Sequence, residues 1–260
     1  MWMWEQSSSD CVRKDAQAAE SIRGEARDSL ADRIEMPDWD SFDSLLEMYH
    51  YTNATFLELN GFVEDAIREY REAITMNPLE SFYHYSIGVA LLKNDEYNEA
   101  YKELTEALHI NPDDCEARCA LADVHCAIGR GLEMEGRLDE AIAEYSEAIS
   151  LDPQYPDYHT HKGQALLERV RHDQSARGTF SPRELEEAAR ELRTALSFDP
   201  CCAEAKLNLG IALVIGGSAG NIEQAITVLN DVLSADPLND DARCCLDSAR
   251  KLRGLTAEYV

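Results

Sequence analysis

Apolar and small residues return every three to four positions in five blocks of this 260-residue chain, and each block closes on a proline. The clearest are "EDAIREYREAITMNP" (Glu64 to Pro78), "NEAYKELTEALHINP" (Asn98 to Pro112) and "DEAIAEYSEAISLDP" (Asp139 to Pro153). Two looser copies end at Pro200 and Pro237. This spacing puts the apolar side chains on one stripe of an amphipathic helix. The proline ends each stripe, because it cannot continue a helix and pushes the residue before it out of the helical region. A second helical stretch precedes every block, with a small residue at its centre: Ala54, Gly88, Gly129, Gly163 and Gly210. A small residue there allows two helices to approach closely.

Inside each block the order is a small residue (Ala66, Ala100, Ala141, Ala188, Ala225), a large one (Tyr70, Leu104, Tyr145, Leu192, Leu229), a further small residue and then proline. With the small residue of the preceding helix, this pattern resembles the tetratricopeptide repeat. The resemblance spans about residues 44 to 237, and the polar stretch Asp240 to Leu255 resembles the helix that caps such arrays. It implies an all-α fold: a right-handed α-solenoid superhelix of about five helix pairs plus a C-terminal capping helix. Residues 1–40 are then an acidic N-terminal tail or partial helix. Residues 41–238 hold five units at about 44–80, 81–113, 114–155, 156–202 and 203–238, and residues 239–260 are the capping helix and tail.

Unequal proline spacing marks three insertions. From Pro112 to Gly129 is 17 residues where other copies have 10, so seven extra residues open the third unit's first helix. They make two helical turns and preserve the phase of the stripe. Thirteen extra residues around "HDQSARGTFSPRE" are expected as a loop in the fourth unit, ending in a capping box, Ser181-Pro182-Arg183-Glu184. A shorter insertion near "GGSAGN" is expected to lengthen the fifth unit's turn.

A formal net charge of -26 repels nucleic acid phosphates and anionic lipid surfaces, and favours basic or apolar protein partners. Residues 1–155 carry net -22 of it, with 34 acids against 12 bases. Within the fourth unit Arg169, Arg171, Arg177 and Arg183 oppose Asp173, a basic patch that is either a solvated loop or a docking site for an acidic segment, including a second copy of the chain. No secretory signal and no membrane-length apolar run is present in the sequence, which is read as cytoplasmic.

Cys115, Cys119 and Cys126 share one stripe of a helix. Cys115 and Cys126 lie about 16 Å apart along that helix, whereas sulfurs on one zinc lie about 2.3 Å from it. The three are read as packing residues, with Cys115 and Cys119 the only thiols that could begin a metal site. His50, His84, His125 and His159 stand four residues before the small residue of their units, a column read as inter-helix packing. No phosphate-binding loop, GxGxxG, HExxH or GxSxG occurs, so neither an enzyme nor a cofactor is expected.

What the family resemblance implies is protein binding on a concave face built from the first helix of each pair. Aligned on the central small residue, that groove takes Tyr51 and Thr55, then Tyr85 and Val89, then Cys126 and Arg130, then His161 and Gln164, and finally Asn208 and Ile211. The expected role is a scaffold or co-chaperone-like assembly adaptor holding a peptide or helix of a partner. The alternative is a thiol-based metal-binding or redox-sensing regulator on the same array. The Lys/Asn/Arg clamp of repeat domains that hold chaperone tails is absent, its places being taken by Tyr51, Thr55, Ser86, Asp123 and Ala127. The asparagine column of the glycosyltransferase-partner type is also missing, with only Asn208 in place. All three tryptophans, Trp2, Trp4 and Trp39, lie near the N-terminus, where they would be free or would dock on the array or a partner.

Overall fold

The computed structural model describes residues 39–179 and 181–257, and these form eleven helices and no strand. Helix α1 (Trp39–Leu59) pairs with α2 (Val63–Met76), and α3 (Ser81–Lys93) with α4 (Tyr97–Ile110). Next come α5 (Cys115–Met134) with α6 (Leu138–Leu151), and α7 (Pro156–Arg177) with α8 (Pro182–Phe198). The last pair is α9 (Ala203–Gly216) with α10 (Ala219–Ala235), and α11 (Asp240–Ala257) closes the row. Readings made for most of residues 1–40, including Trp2 and Trp4, lie outside the described residues. Among the described residues no helix is long and apolar enough to cross a membrane.

The second helices stop for one local reason. Asn77, Asn111, Asp152, Asp199 and Asp236 each precede a proline, and each adopts φ between -124 and -136 with ψ between 84 and 92. That is the extended conformation a following proline imposes. Each helix packs on its pair-mate and on its neighbours in the row, and first helices also touch one another in succession, α3 with α5, α5 with α7, α7 with α9 and α9 with α11. Among the described residues no contacts of similar extent join the second helices. The row therefore closes up on the first-helix side and splays on the other, which makes the first helices the inner wall of a curved solenoid.

Small and large residues interlock inside each pair. A Cβ built on Gly88, Gly163 or Gly210 would lie 2.6–2.7 Å from a carbon of Leu104, Leu192 or Leu229, and one on Gly129 would lie 2.7 Å from the Tyr145 ring. Tyr145 cannot swing away freely, because its hydroxyl donates to Glu133 at 2.7 Å. Gly129→Ala is thus expected to destabilise the protein in a urea titration. The overpacking penalty, about 1–3 kcal/mol, outweighs the gain of about 1 kcal/mol from better helix propensity.

The apolar interior forms three clusters. One spans α1 to the first half of α5, one lies among α5, α6 and α7, and one runs from α7 to α11. Leu151 packs against the first two and Ile142 against the last two.

The insertions are helical, which corrects the loop readings. The third unit's extra residues lengthen α5 at its start, as its phase requires. In the fourth unit α7 runs to Arg177, fourteen residues past Gly163, whereas α3 ends five past Gly88. Gly178 stops it with φ 70, a left-handed cap that glycine adopts without strain. The fifth unit's extra residues join the start of α10, leaving only Gly217 and Ser218 as the turn. Ser181 stands at the N-cap of α8 with Pro182 first in the helix, but its side chain makes no capping bond. Glu184 is held instead by Arg169 at 3.3 Å.

Candidate functional site

The side chains foreseen on the inner wall fall into three groups. At the N-terminal end the Tyr51 ring meets Phe82 at 5.5 Å, and Phe82 meets Tyr85 at 6.1 Å, an aromatic strip across α1 and α3. Val89 packs beside it against the first core cluster. Thr55 has no hydroxyl hydrogen to offer a ligand, because it donates to the Tyr51 carbonyl at 2.7 Å. At the far end Asn208 and Ile211 are half-buried on α9.

Between these ends lies a cleft of about 350 Å³. Arg130 and His161 line it with Tyr97, Tyr155 and Tyr158, and Asp95, Asp123 and Asp157 surround it. Cys126 belongs to its floor rather than to its reactive surface: the side chain is 8% exposed and packed in the middle core cluster. Burial pushes its thiol up to about 12, against the opposing pull of Arg130. His161 stacks on the Tyr145 ring at 5.6 Å, and burial lowers its pKa, so it is neutral near pH 7. Gln164 and Glu133 each leave a buried side-chain oxygen without a hydrogen-bond partner among the described residues. Burial also raises the Glu133 pKa, with a further push from Glu168 and Glu204, while the Tyr145 hydroxyl bond pulls the other way.

Sequence reasoning missed this accumulation of acid, although a signal was present. Asp123, Asp157 and Glu204 each stand six residues before the small residue of their first helix, and all three are exposed.

It also missed a repeated ion pair. His50, His84, His125 and His159 each present Nδ1 to a carboxylate on the paired second helix, Glu69, Glu103, Glu144 and Glu191, at 2.7, 2.7, 2.7 and 2.8 Å. Each glutamate immediately precedes the large residue of its block, a regularity visible in the sequence. His84 and His159 also place Nε2 on the carbonyls of Pro78 and Pro153, at 3.1 and 3.0 Å, which ties their units to the preceding ones. In α5 the extra turns carry His125 away from Pro112, and it packs edge-on to Tyr101 instead. The fifth unit has Lys206 and Val228 at the corresponding places.

Cys115 and Cys119 are exposed, and Cys119 Sγ lies 3.9 Å from Asp152. Burial, then that carboxylate, raise its pKa, which disfavours a reactive thiolate. Among the described residues no three of His, Cys, Asp and Glu are arranged to hold a metal ion. The arginine patch is partly committed as well, since Arg169 pairs with Asp139 at 2.7 Å and with Glu184.

Residues 57–114 match a family model described as tetratricopeptide repeat, and residues 135–169 match a second described as TPR repeat. The chain is a tetratricopeptide-repeat protein. No curated protein matches it by sequence. Solved structures share the fold of this tetratricopeptide-repeat protein at low identity. YrrB, described as a TPR protein with an unusual peptide-binding site, is 18% identical with a TM-score of 0.50, over 86% of this chain and 96% of its own. MamA from Desulfovibrio magneticus RS-1 is 16% identical with a TM-score of 0.51, over 75% and 97%. A tetratricopeptide repeat protein from Parabacteroides merdae is 14% identical with a TM-score of 0.52, over 82% and 75%. A tetratricopeptide array is a protein-interaction scaffold, and members of the family are generally non-enzymatic.

Proposed function

We propose that this tetratricopeptide-repeat protein is an assembly scaffold whose inner wall holds an extended, basic segment of a partner protein. The observation that carries the reading is the acid in and around the central cleft. Asp123, Asp157 and Glu204 repeat along successive first helices, with Glu133 and Glu168 beside them and Arg130 among them. A wall lined with carboxylates attracts an ammonium or guanidinium, and the complementarity sets which partner segment it takes. The cleft walls are aromatic, which suits a Lys or Arg side chain whose stem needs apolar cover and whose charge can lie against a ring face. Tyr51, Phe82 and Tyr85 would take an apolar residue of the same segment toward the N-terminal end. YrrB, with its peptide-binding site, is a precedent for such an occupant on an array of this fold.

Calorimetric titration with a Lys-Leu repeat peptide and its Glu-Leu counterpart tests the reading. The basic peptide is expected to bind, with affinity falling as salt rises, and the acidic one not to bind. Asp157→Asn combined with Glu168→Gln should weaken binding about tenfold, a loss of about 1.4 kcal/mol. Equal binding of both peptides, or indifference to the double substitution, would overturn it.

A further inference from the structure

Each first helix after α1 buries one face against the unit that precedes it. In α3, α7 and α9 the residue two positions beyond the central small residue belongs to that face, Ala90 and Ala165 being 0% exposed and Ala212 2% exposed, and in α5 the half-buried Gly131 takes the place. Ala165 packs in a cluster drawn from α5, α6 and α7, which confirms that this side looks backward along the row. In α1 the same position is Phe56, and it is 62% exposed. Leu45, nine residues before Ala54, is 63% exposed, whereas Ala120 at the same place in α5, the one later first helix that reaches so far back, is 6% exposed. His50 adds an independent sign, because its Nε2 is buried with no partner among the described residues, while His84 and His159 receive a carbonyl from the preceding unit. A large apolar face and a buried ring nitrogen thus stand where every later unit has a neighbour.

We propose that residues 18–36 of this same chain cover that face, as a degenerate second helix preceding α1. In "AAESIRGEARDSLADRIEM" the residues Ala19, Ile22, Ala26, Leu30 and Ile34 fall three or four apart, the spacing of one helical stripe. Pro37 then closes the segment two residues before α1 begins, and the five later closing prolines each stand three residues before the next helix. Sizes are complementary. α1 carries Phe56 where α3, α7 and α9 carry Ala90, Ala165 and Ala212, and the segment supplies Ala26, eleven residues before its proline, where α2, α4, α6 and α10 carry Ile67, Tyr101, Ile142 and Ile226. Lengths agree too, since nineteen helical residues span about 28 Å and the twenty-one of α1 about 31 Å. The direct connection through Pro37 keeps the effective concentration high, which favours this occupant over a second copy or a separate partner.

Hydrogen exchange on the full chain, together with sedimentation, decides it. Amides of residues 18–36 should be protected in a monomer. Phe56→Asp, at an exposed position that the array does not need, and Leu30→Asp with Ile34→Asp, outside the array, should each reduce that protection about tenfold or more while leaving α3 to α11 unchanged. Exchange of residues 18–36 at the rate of an unstructured chain would overturn the proposal. In that case a dimer dissociated by Phe56→Asp would identify a second copy as the occupant, and a monomer would leave the face to another protein. Protection that survives Phe56→Asp would also overturn it, by placing the segment elsewhere.

Discussion

Replacing Tyr145 with alanine is expected to lower the unfolding free energy by about 3–5 kcal/mol, read from a urea titration with unchanged slope. The ring is fully buried, fills the notch opened by Gly129, and carries His161 on its face. Tyr145→Phe separates the contributions. It keeps the packing and removes only the hydroxyl bond to Glu133, whose other oxygen already lacks a partner. That change should cost about 1–3 kcal/mol. If the two variants were equally destabilised, the hydrogen bond would dominate and the packing role assigned to the ring would be wrong.

The second large effect concerns the pair between α7 and α8. His159 and Glu191 are both buried, and Glu191 Oε1 is further approached by Lys162 at 3.4 Å. Arg190, and Glu187 through Lys162, complete the charged surroundings. Breaking such a pair from one side costs about 3–5 kcal/mol, because the remaining partner stays buried. Both ring nitrogens of His159 face acceptors, Glu191 and the Pro153 carbonyl, so the protonated ring satisfies both. Burial opposes that charge, but the two hydrogen bonds more than offset it and the His159 pKa is raised. Burial also opposes the Glu191 carboxylate, and the bond from His159 with the field of Lys162 lowers its pKa nonetheless.

The signs then follow. A raised histidine contributes fully below its ordinary value of 6.5 and loses that contribution as pH rises through the raised value. A lowered glutamate contributes above 4.5 and loses its share as pH falls through the lowered value. The deficit in thermal midpoint of Glu191→Gln relative to the wild type should therefore be widest between those limits and shrink toward alkaline pH. A deficit that stays level across the whole range would mean that the pair is not charged in the way its geometry requires.

The helix-pair order, the closing prolines and the small-against-large contacts were readable because each depends on residues close together in sequence. Readings failed where the outcome depends on register between elements. The stretch from Arg171 to Ala176 has no apolar stripe and looks like a loop, yet it contains no Gly or Pro, so α7 continues until Gly178 offers the left-handed cap. The burial of Cys126 at the cleft floor, in one cluster with Tyr145 and Tyr158, likewise depends on neighbouring helices. The histidine–glutamate pairs join residues 19 or 32 positions apart, and neither partner is unusual alone. Tyr51, Tyr85, Arg130 and His161 sit on first helices, where helical phase alone sets a side chain's direction. The acids that surround the cleft become visible only once the first helices are laid side by side.

The division of the interior into three clusters has a mechanical consequence. A chain drawn out from its C-terminus would surrender the α7 to α11 block while α1 to α5 kept its own apolar contacts, since among the described residues only Ile142 and Leu151 pack against two of the clusters. Under tension such a molecule yields in instalments and rewinds from whatever remains folded, as a ratchet does, instead of snapping open at a single load.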